Sequence, residues 1–547
     1  VDLAFGDKVY HFVANYYGGT GNDLVLEWAN RSIAAWGLNG SGQLGIASSP
    51  NVPLPVAMPD MGVLTGKTVV FIAAGASHSL ALCADGTVAS WGGGASNLGA
   101  GGTTQSSVPI AVKTTGALAG KRVVGISAAA GNNLAVCADG SVVAWGSGSS
   151  GQLGNGGSSS TNEPVAVSLT GALAGKSVTS VAVGGIHSLA LCSDGSVLAW
   201  GLNTYGQLGD GTTTNRSVPV LVSTAGVLAG KQVVAVSAGL YYSLALCSDG
   251  TLAAWGDDSY RQLGSSLFQG SSMVPKLVDR TGVLSGETVV ALSQAAHSTP
   301  TLLCASGKVV TWGLNDKGQR GSLSPLAWKP DFVDSTGALA GRQVASIASG
   351  GSSTMALCSD GGVVTWGSNF YAQLGVPGLV SSFGPVAVSS ESALTGKKAL
   401  FGAVAYHCLV VLAEPDLQTI LPAFASTSLT ETTGSSDPDH DGIPNLMEYV
   451  LHGDPNSPST DILPRMAIEG DNFVFRFNRL AASGNDTTQV FQYSTEMVGW
   501  TSVVITTPTD SRVTLGAVDG NGDQSVTVTV PKGSNARMFC RLVVSEP

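Results

Sequence analysis

Apolar and polar positions along the chain fall into a block that recurs about every 55 residues. One full block opens with a short apolar run, His187-Ser-Leu-Ala-Leu-Cys192, followed by Asp194-Gly195 and a second run up to Trp200. A polar stretch, Gly201-Leu-Asn-Thr-Tyr-Gly206-Gln-Leu-Gly209, comes next. Apolar runs of this length between turn signals predict strands, and Asp-Gly between two of them predicts a hairpin with both central residues at positive φ. An edge segment near Pro219, a spacer Gly226-Val-Leu-Ala-Gly-Lys231 and a third apolar run from Val233 lead into the next block. Trp-Gly recurs at Trp36, Trp91, Trp145, Trp200, Trp255, Trp312 and Trp366, with separations of 54 to 57 residues.

Repeats of that length with several short strands predict small sheets arrayed radially, the blades of a propeller. A stacked solenoid would want atypical end repeats, and every unit here reads as internal. The phase of the repeat predicts how the ring closes. Residues 32–36 are a return strand with no outgoing strand before them, and residues 407–412 are an outgoing strand with no return. Pairing the two builds one blade from both ends and removes two exposed sheet edges.

The string Gly-x-x-His-Ser-Leu-Ala-Leu, then Asp-Gly, then Trp-Gly-x-Asn-x-x-Gly-Gln-Leu-Gly resembles the regulator of chromosome condensation repeat family over about residues 31–413. The resemblance implies an all-β, seven-bladed β-propeller. Guanine-nucleotide exchange on a small GTPase is one use of that family. A secreted bacterial inhibitor that grips an enzyme with its loop face is another. No inhibitory residue maps onto this chain, and the uniform spacing leaves little room for the inserted elements that exchange relies on.

Cys83, Cys137, Cys192, Cys247, Cys304 and Cys358 share one repeat position, where the last copy has Leu412. Leu in a Cys slot predicts buried free thiols used as small hydrophobes. Cys408 and Cys540 are off-register, and a bond between them is left open. His78, His187 and His407 share another position, with His297 displaced from it by a local insertion, and it holds Asn132, Tyr242 and Ser353 in the other copies. With no carboxylate travelling alongside, these read as structural histidines at blade interfaces. No nucleophile elbow, phosphate loop or recurrent carboxylate pair is present, so an enzyme is not expected. Asp85, Asp139, Asp194, Asp249 and Asp360 read as turn residues. Five residues past each Trp lies a loop tip: Ser41, Ser96 and Ser150, then Tyr205, Tyr260, Lys317 and Tyr371. The last four would place large side chains on consecutive blades, a candidate partner-binding patch.

Net charge is −11 with pI ≈ 5.0, which speaks against nucleic acid and anionic membrane as main partners. No apolar run reaches the roughly 18 residues of a membrane helix. The chain starts at Val1 rather than Met, which fits a processed or partial chain whose export signal lies outside it. Residues 414–436, rich in Ser, Thr and Pro, read as a linker. Then Asp437-Pro-Asp439-His-Asp441-Gly-Ile443-Pro-Asn445-Leu-Met-Glu448 spells a calcium loop, followed by a helical start within 437–460. Ca²⁺ is therefore the expected cofactor, held by Asp437, Asp439, Asp441, Ile443, Asn445 and Glu448. Residues 461–547 alternate with period two and predict a β-sandwich. Residues 1–30 read as a β segment, in which Gly18 to Leu26 matches one copy of a calcium-binding nonapeptide. The chain is thus expected to be an extracellular or cell-surface scaffold whose propeller binds a protein or glycan. A filament or surface-layer subunit, self-associating through its terminal β segments, is the alternative.

Overall fold

The computed structural model describes residues 31–413 apart from 95, 169, 266–269, 294–297, 323–328 and 390–391, and outside that span the strands named below. Residues 31–413 form one compact unit, and residues 1–30 with 414–547 form another.

The first unit consists of seven four-stranded antiparallel sheets, with strands labelled a to d from the inside outward. In blade 4 these are Val178–Val183, His187–Cys192, Val197–Gly201 and Arg216–Leu221. Strands b and c are buried along their whole length. Burial on both faces explains why they read as continuous apolar runs rather than alternating ones. Strand d is half-buried. The spacer before the next strand a carries a single 3₁₀ turn, Gly226–Leu228, which buries Leu228. Each strand a packs against strand a of the next blade, and the contacts run round all seven sheets and return to the start. The sheets therefore close into a ring, the blades of a propeller.

Blade 1 is built from both ends of the unit. Its strands a and b, Lys398–Val404 and His407–Ala413, are followed in the sheet by Arg31–Gly37 and Val52–Ala57. The register runs from His407 opposite Gly37 to Ala413 opposite Arg31 without a break. The unpaired strands in the sequence thus complete each other.

The Asp-Gly hairpins differ from expectation. Gly195 has φ +79, but no Asp of these turns has a positive φ. Gly195 N–H donates to the Cys192 carbonyl and Cys192 N–H to the Ser196 carbonyl. The turn is a three-residue type I with Gly in the left-handed position, not the two-residue type expected. The Asp194 carboxylate accepts from the Ser196 N–H at 3.0 Å, which holds the Asp on the right-handed side.

Blade 6 departs most from the repeat. Its strands shorten to Thr301–Cys304, Val309–Thr311 and Asp331–Phe332, and Pro300 stands where the other b strands are already paired.

In the second unit, Asp2–Phe5, Lys8–Gly18 and Asp23–Trp28 form a three-stranded meander. Asp2–Phe5 lies against Phe539–Ser545. A four-stranded sheet runs Arg465–Glu469, Asn472–Leu480, Asp523–Pro531, Val513–Val518, and a three-stranded one runs Thr501–Val504, Thr488–Ser494, Phe539–Ser545. The candidate calcium loop, residues 437–448, lies outside the described residues, as do residues 19–22 of the nonapeptide match.

Candidate interaction face

The repeat motif encodes a joint between blades. Trp200 Nε1 donates to the Gln152 carbonyl of the preceding blade at 2.9 Å, and Ser188 Oγ donates to the same carbonyl at 3.0 Å. Gly154, two residues on, sits against the indole: a Cβ there would stand 2.7 Å from Nε1. The Gln152 side chain accepts from the backbone N–H of Ser150, the loop tip, at 2.8 Å. So Gln-Leu-Gly supplies a carbonyl, a buried Leu and a bare surface to the Trp of the next blade. All seven Trp side chains are fully buried and bonded this way, and Trp36 to the Gln373 carbonyl closes the ring.

The histidines extend the joint and carry no catalytic geometry. His187 Nε2 lies 2.9 Å from Ser243 Oγ of the next blade, whose own proton goes to the Gln207 carbonyl. His187 must therefore donate from Nε2. His407 does the same to Ser79 at 2.7 Å, and His78 to Asn133 Oδ1 at 2.6 Å. In each ring Nδ1 is buried without a partner. Burial lowers the pKa to about 4 for His78 and about 3 for His187 and His407, so all three are neutral. His297 lies outside the described residues. The repeat cysteines and Cys408 are free and buried, and burial pushes Cys83 up to about 12 and Cys304 to about 11.

On the hairpin side of the ring, the turn carboxylates do more than shape turns. Asp85, Asp139, Asp194 and Asp249 each meet the Lys that ends the preceding spacer: Lys67, Lys121, Lys176 and Lys231. Arg342 meets Asp360 at 3.1 Å. The constant separation of 18 residues between these pairs was readable in the sequence. Among the described residues, no group of three or more His, Cys, Asp and Glu could hold a metal ion.

The a–b turns and c–d loops share the other side, the loop face. Tyr205 and Tyr260 are 39% and 50% exposed there, and Lys317 is exposed beside Asp316 at 3.6 Å. Tyr371 is half-buried. These four tips do not form one aromatic cluster: among the described residues, no ring contact links the three tyrosines. Instead a tip leans on the a–b turn of the following blade. Tyr205 packs on Tyr241 with centroids 5.2 Å apart, and Tyr371 on Tyr406 at 5.5 Å. Phe370 joins Tyr371 edge-on at 4.8 Å and is itself 75% exposed. Asn369 anchors the loop opposite through the Leu379 and Val380 carbonyls. This brings exposed Leu379 and Val380 to the Phe370 side, while exposed Phe383 lies against Gly318 of the blade 6 loop. Reading one tip position per repeat missed this cluster, because Phe370, Leu379 and Val380 lie one residue before the tip or in a loop that does not repeat. Within the ring the a–b turns enclose a cavity of about 120 Å³, walled by Ala76, Ala130, Leu240, Gly351 and Ala405, with Tyr406 at its edge.

Models of the regulator of chromosome condensation (RCC1) repeat match residues 34–82, 139–191 and 194–246, and a second form matches 69–97, 178–207, 233–262 and 344–373. The chain is 33% identical over 352 residues to the ultraviolet-B receptor UVR8 of Arabidopsis thaliana, covering 63% of this chain and 74% of that protein. It is 31% identical over 348 residues to the E3 ubiquitin-protein ligase HERC2 of Mus musculus, where 63% of this chain spans only 7% of the relative. Human WBSCR16 superimposes with a TM-score of 0.60 at 24% identity, over 70% of this chain and 99% of that one. Yeast RCC1 (Prp20), solved bound to Kap60, gives a TM-score of 0.62 at 18% identity, over 73% and 92%. Repeat, ring closure and relatives agree: the chain belongs to the regulator of chromosome condensation repeat family.

Proposed function

We propose that this chain is a non-enzymatic scaffold that holds a partner protein across the loop face of its propeller, centred on blade 7. One observation carries the reading: Phe370 and Val380 are 75% and 77% exposed beside Leu379 and the Tyr371–Tyr406 pair. An exposed apolar cluster of that kind on a soluble fold marks a contact surface. Tyr205, Tyr260 and Lys317 extend it over blades 4 to 6. Leu379 and Val380 offer nothing to sugar hydroxyls, which favours protein over glycan. Charge is compatible. Residues 31–413 hold 18 Lys and Arg against 16 Asp and Glu, and the flanks hold 8 against 21, so the acidity lies outside the propeller.

Related propellers bind proteins: Prp20 was solved with Kap60, and Prp20p is described with binding to Gsp1p and histones. Ligase activity is not carried over from HERC2, of which so little is spanned. Growth through the outer blade edges is disfavoured, since strands d carry Pro55, Pro109, Pro164, Pro219, Pro275 and Pro385, each lacking a donor. The calcium loop at 437–448 supports an extracellular setting, where that ion is plentiful.

The test is affinity for a partner captured on the full chain, measured for Phe370→Ser, Tyr205→Ser, Tyr260→Ser and Tyr371→Ser. Ser is what blades 1 to 3 carry at the tips and blade 3 carries one residue earlier, where Phe370 is exposed, so folding should be kept. Binding should fall about tenfold or more for at least one, as for clustered hot spots, and Ser96→Ala should change nothing. Full affinity in all four variants would sink the loop-face reading.

A further inference from the structure

The cavity at the mouth of the ring lies between the two aromatic pairs of the loop face. Leu240 in its wall precedes Tyr241, which packs on Tyr205. Tyr406 on the opposite edge leads through Tyr371 to Phe370. The turns that meet here are built from small residues, so their backbones leave an opening rather than filling it. At about 120 Å³ it is close to the roughly 150 Å³ of an apolar cavity that takes a benzene ring. Among the described residues, no charged side chain lines it. The chain that carries the rim, residues 361–390, holds no charged residue, nor do residues 399–413 or the blade 1 loop at 37–51. A charged group brought here would lose its hydration without a charged partner among the described lining residues, whereas an apolar one would be favoured by area removed from water.

We propose that the ring mouth is a socket for a single uncharged apolar side chain, a phenyl ring or branched aliphatic group, presented by an uncharged segment of a partner protein lying across both aromatic pairs. This rests on the loop-face reading and adds what the partner must carry. An anchor side chain in a pocket, rimmed by larger contacts that exclude water, is how binding energy concentrates at protein interfaces. Tyr205, Tyr371 and Tyr406 on the loop face would offer hydroxyls to the backbone of such a segment.

The test is a ligand-observed NMR titration of the full chain with N-acetyl-phenylalaninamide and N-acetyl-leucinamide, against N-acetyl-lysinamide and N-acetyl-glycinamide. The first two should bind in the millimolar range that ligands of this size reach, and the controls at least tenfold more weakly. Ala130 is exposed in the cavity wall, so Ala130→Phe should fill the socket, abolish binding and leave the fluorescence of the buried Trp ring unchanged. Ala76→Leu is a second filling variant should the first fail to fold. Phe370→Ser should change amide affinity less than threefold.

Equal binding of the lysine amide, no binding of any, or full binding in a filled variant overturns the socket. So does self-association that Ala130→Phe reverses, since the occupant would then be a second copy. If Phe370→Ser abolishes amide binding and Ala130→Phe does not, the socket fails and the loop-face reading survives. If the amides behave as expected but no face variant weakens a captured partner, the loop-face reading fails and the socket stands alone.

Discussion

Lowering the pH from 7 to 5 should destabilise the propeller through three residues. His78, His187 and His407 are neutral, fully buried donors. Each faces the Ser or Asn of the next blade, and among the described residues no carboxylate faces any of them; the one titratable-group influence is His78 on His407, which also opposes protonation. An imidazolium would carry a second N–H at Nδ1, where no acceptor waits. The unfolded chain binds these protons with a pKa near 6.5. Their folded values lie at about 4 and 3. The unfolded state therefore takes up more protons throughout that interval, and stability falls as pH drops through it. Between pH 7 and 5 each His costs about 1.8 kcal/mol, or about 5 kcal/mol for the three, by that linkage. That is a large part of the roughly 5–15 kcal/mol that holds a domain together. Asp139, Asp194 and Asp249 are held well below the usual carboxylate range by their Lys partners. Their stabilisation fades only below the unfolded carboxylate pKa near 4, so the window from 7 to 5 belongs to histidine. Urea titrations followed by Trp fluorescence should show the midpoint falling by on the order of 1 M, given slopes of a few kcal/mol/M. Asn stands at this position in blade 3, so the triple variant His78→Asn, His187→Asn, His407→Asn should be less stable at pH 7 but nearly flat from 7 to 5. A wild type that loses under about 1 kcal/mol over this range, or a triple variant with an unchanged slope, would refute the assignment of these residues as neutral joints.

Deleting residues 31–37 removes strand c of blade 1 and exposes strand b and the outer strand it joins; the propeller should lose cooperative unfolding or aggregate, and a deletion variant that melts like the parent would rule out the shared-blade closure. If residues 437–448 bind calcium as their sequence implies, chelation should lower the melting temperature of the second unit and leave the Trp-reported transition of the propeller unchanged, with Asp441→Ala mimicking chelation. Absence of calcium heat in calorimetry of the full chain would remove the ion from residues 437–448.

The repeat spelled out most of the fold. Seven Trp-Gly pairs at near-constant spacing counted the blades, because every blade needs one indole to seal its joint, and the phase at residues 32–36 and 407–412 already contained the closure. Strand order, buried thiols and structural histidines follow from patterns local to one unit, where burial acts on neighbours in sequence. What the chain could not reveal in advance lies between units. That Gln152 supplies a carbonyl rather than a side chain to Trp200, and that His187 reaches Ser243, depends on blades 36 to 56 residues apart being brought edge to edge. The hairpin type was misread because a carboxylate capping its own turn and pairing with a distant Lys outweighs the local Asp-Gly preference. Most of all, the apolar cluster joins Phe370, at a variable position of the repeat, to Leu379 and Val380 in a loop outside it, and the cavity is walled by six blades at or near their a–b turns, each part of the repeat. Their meeting is decided by ring geometry, since closing seven sheets leaves an axial gap whose width no single repeat encodes.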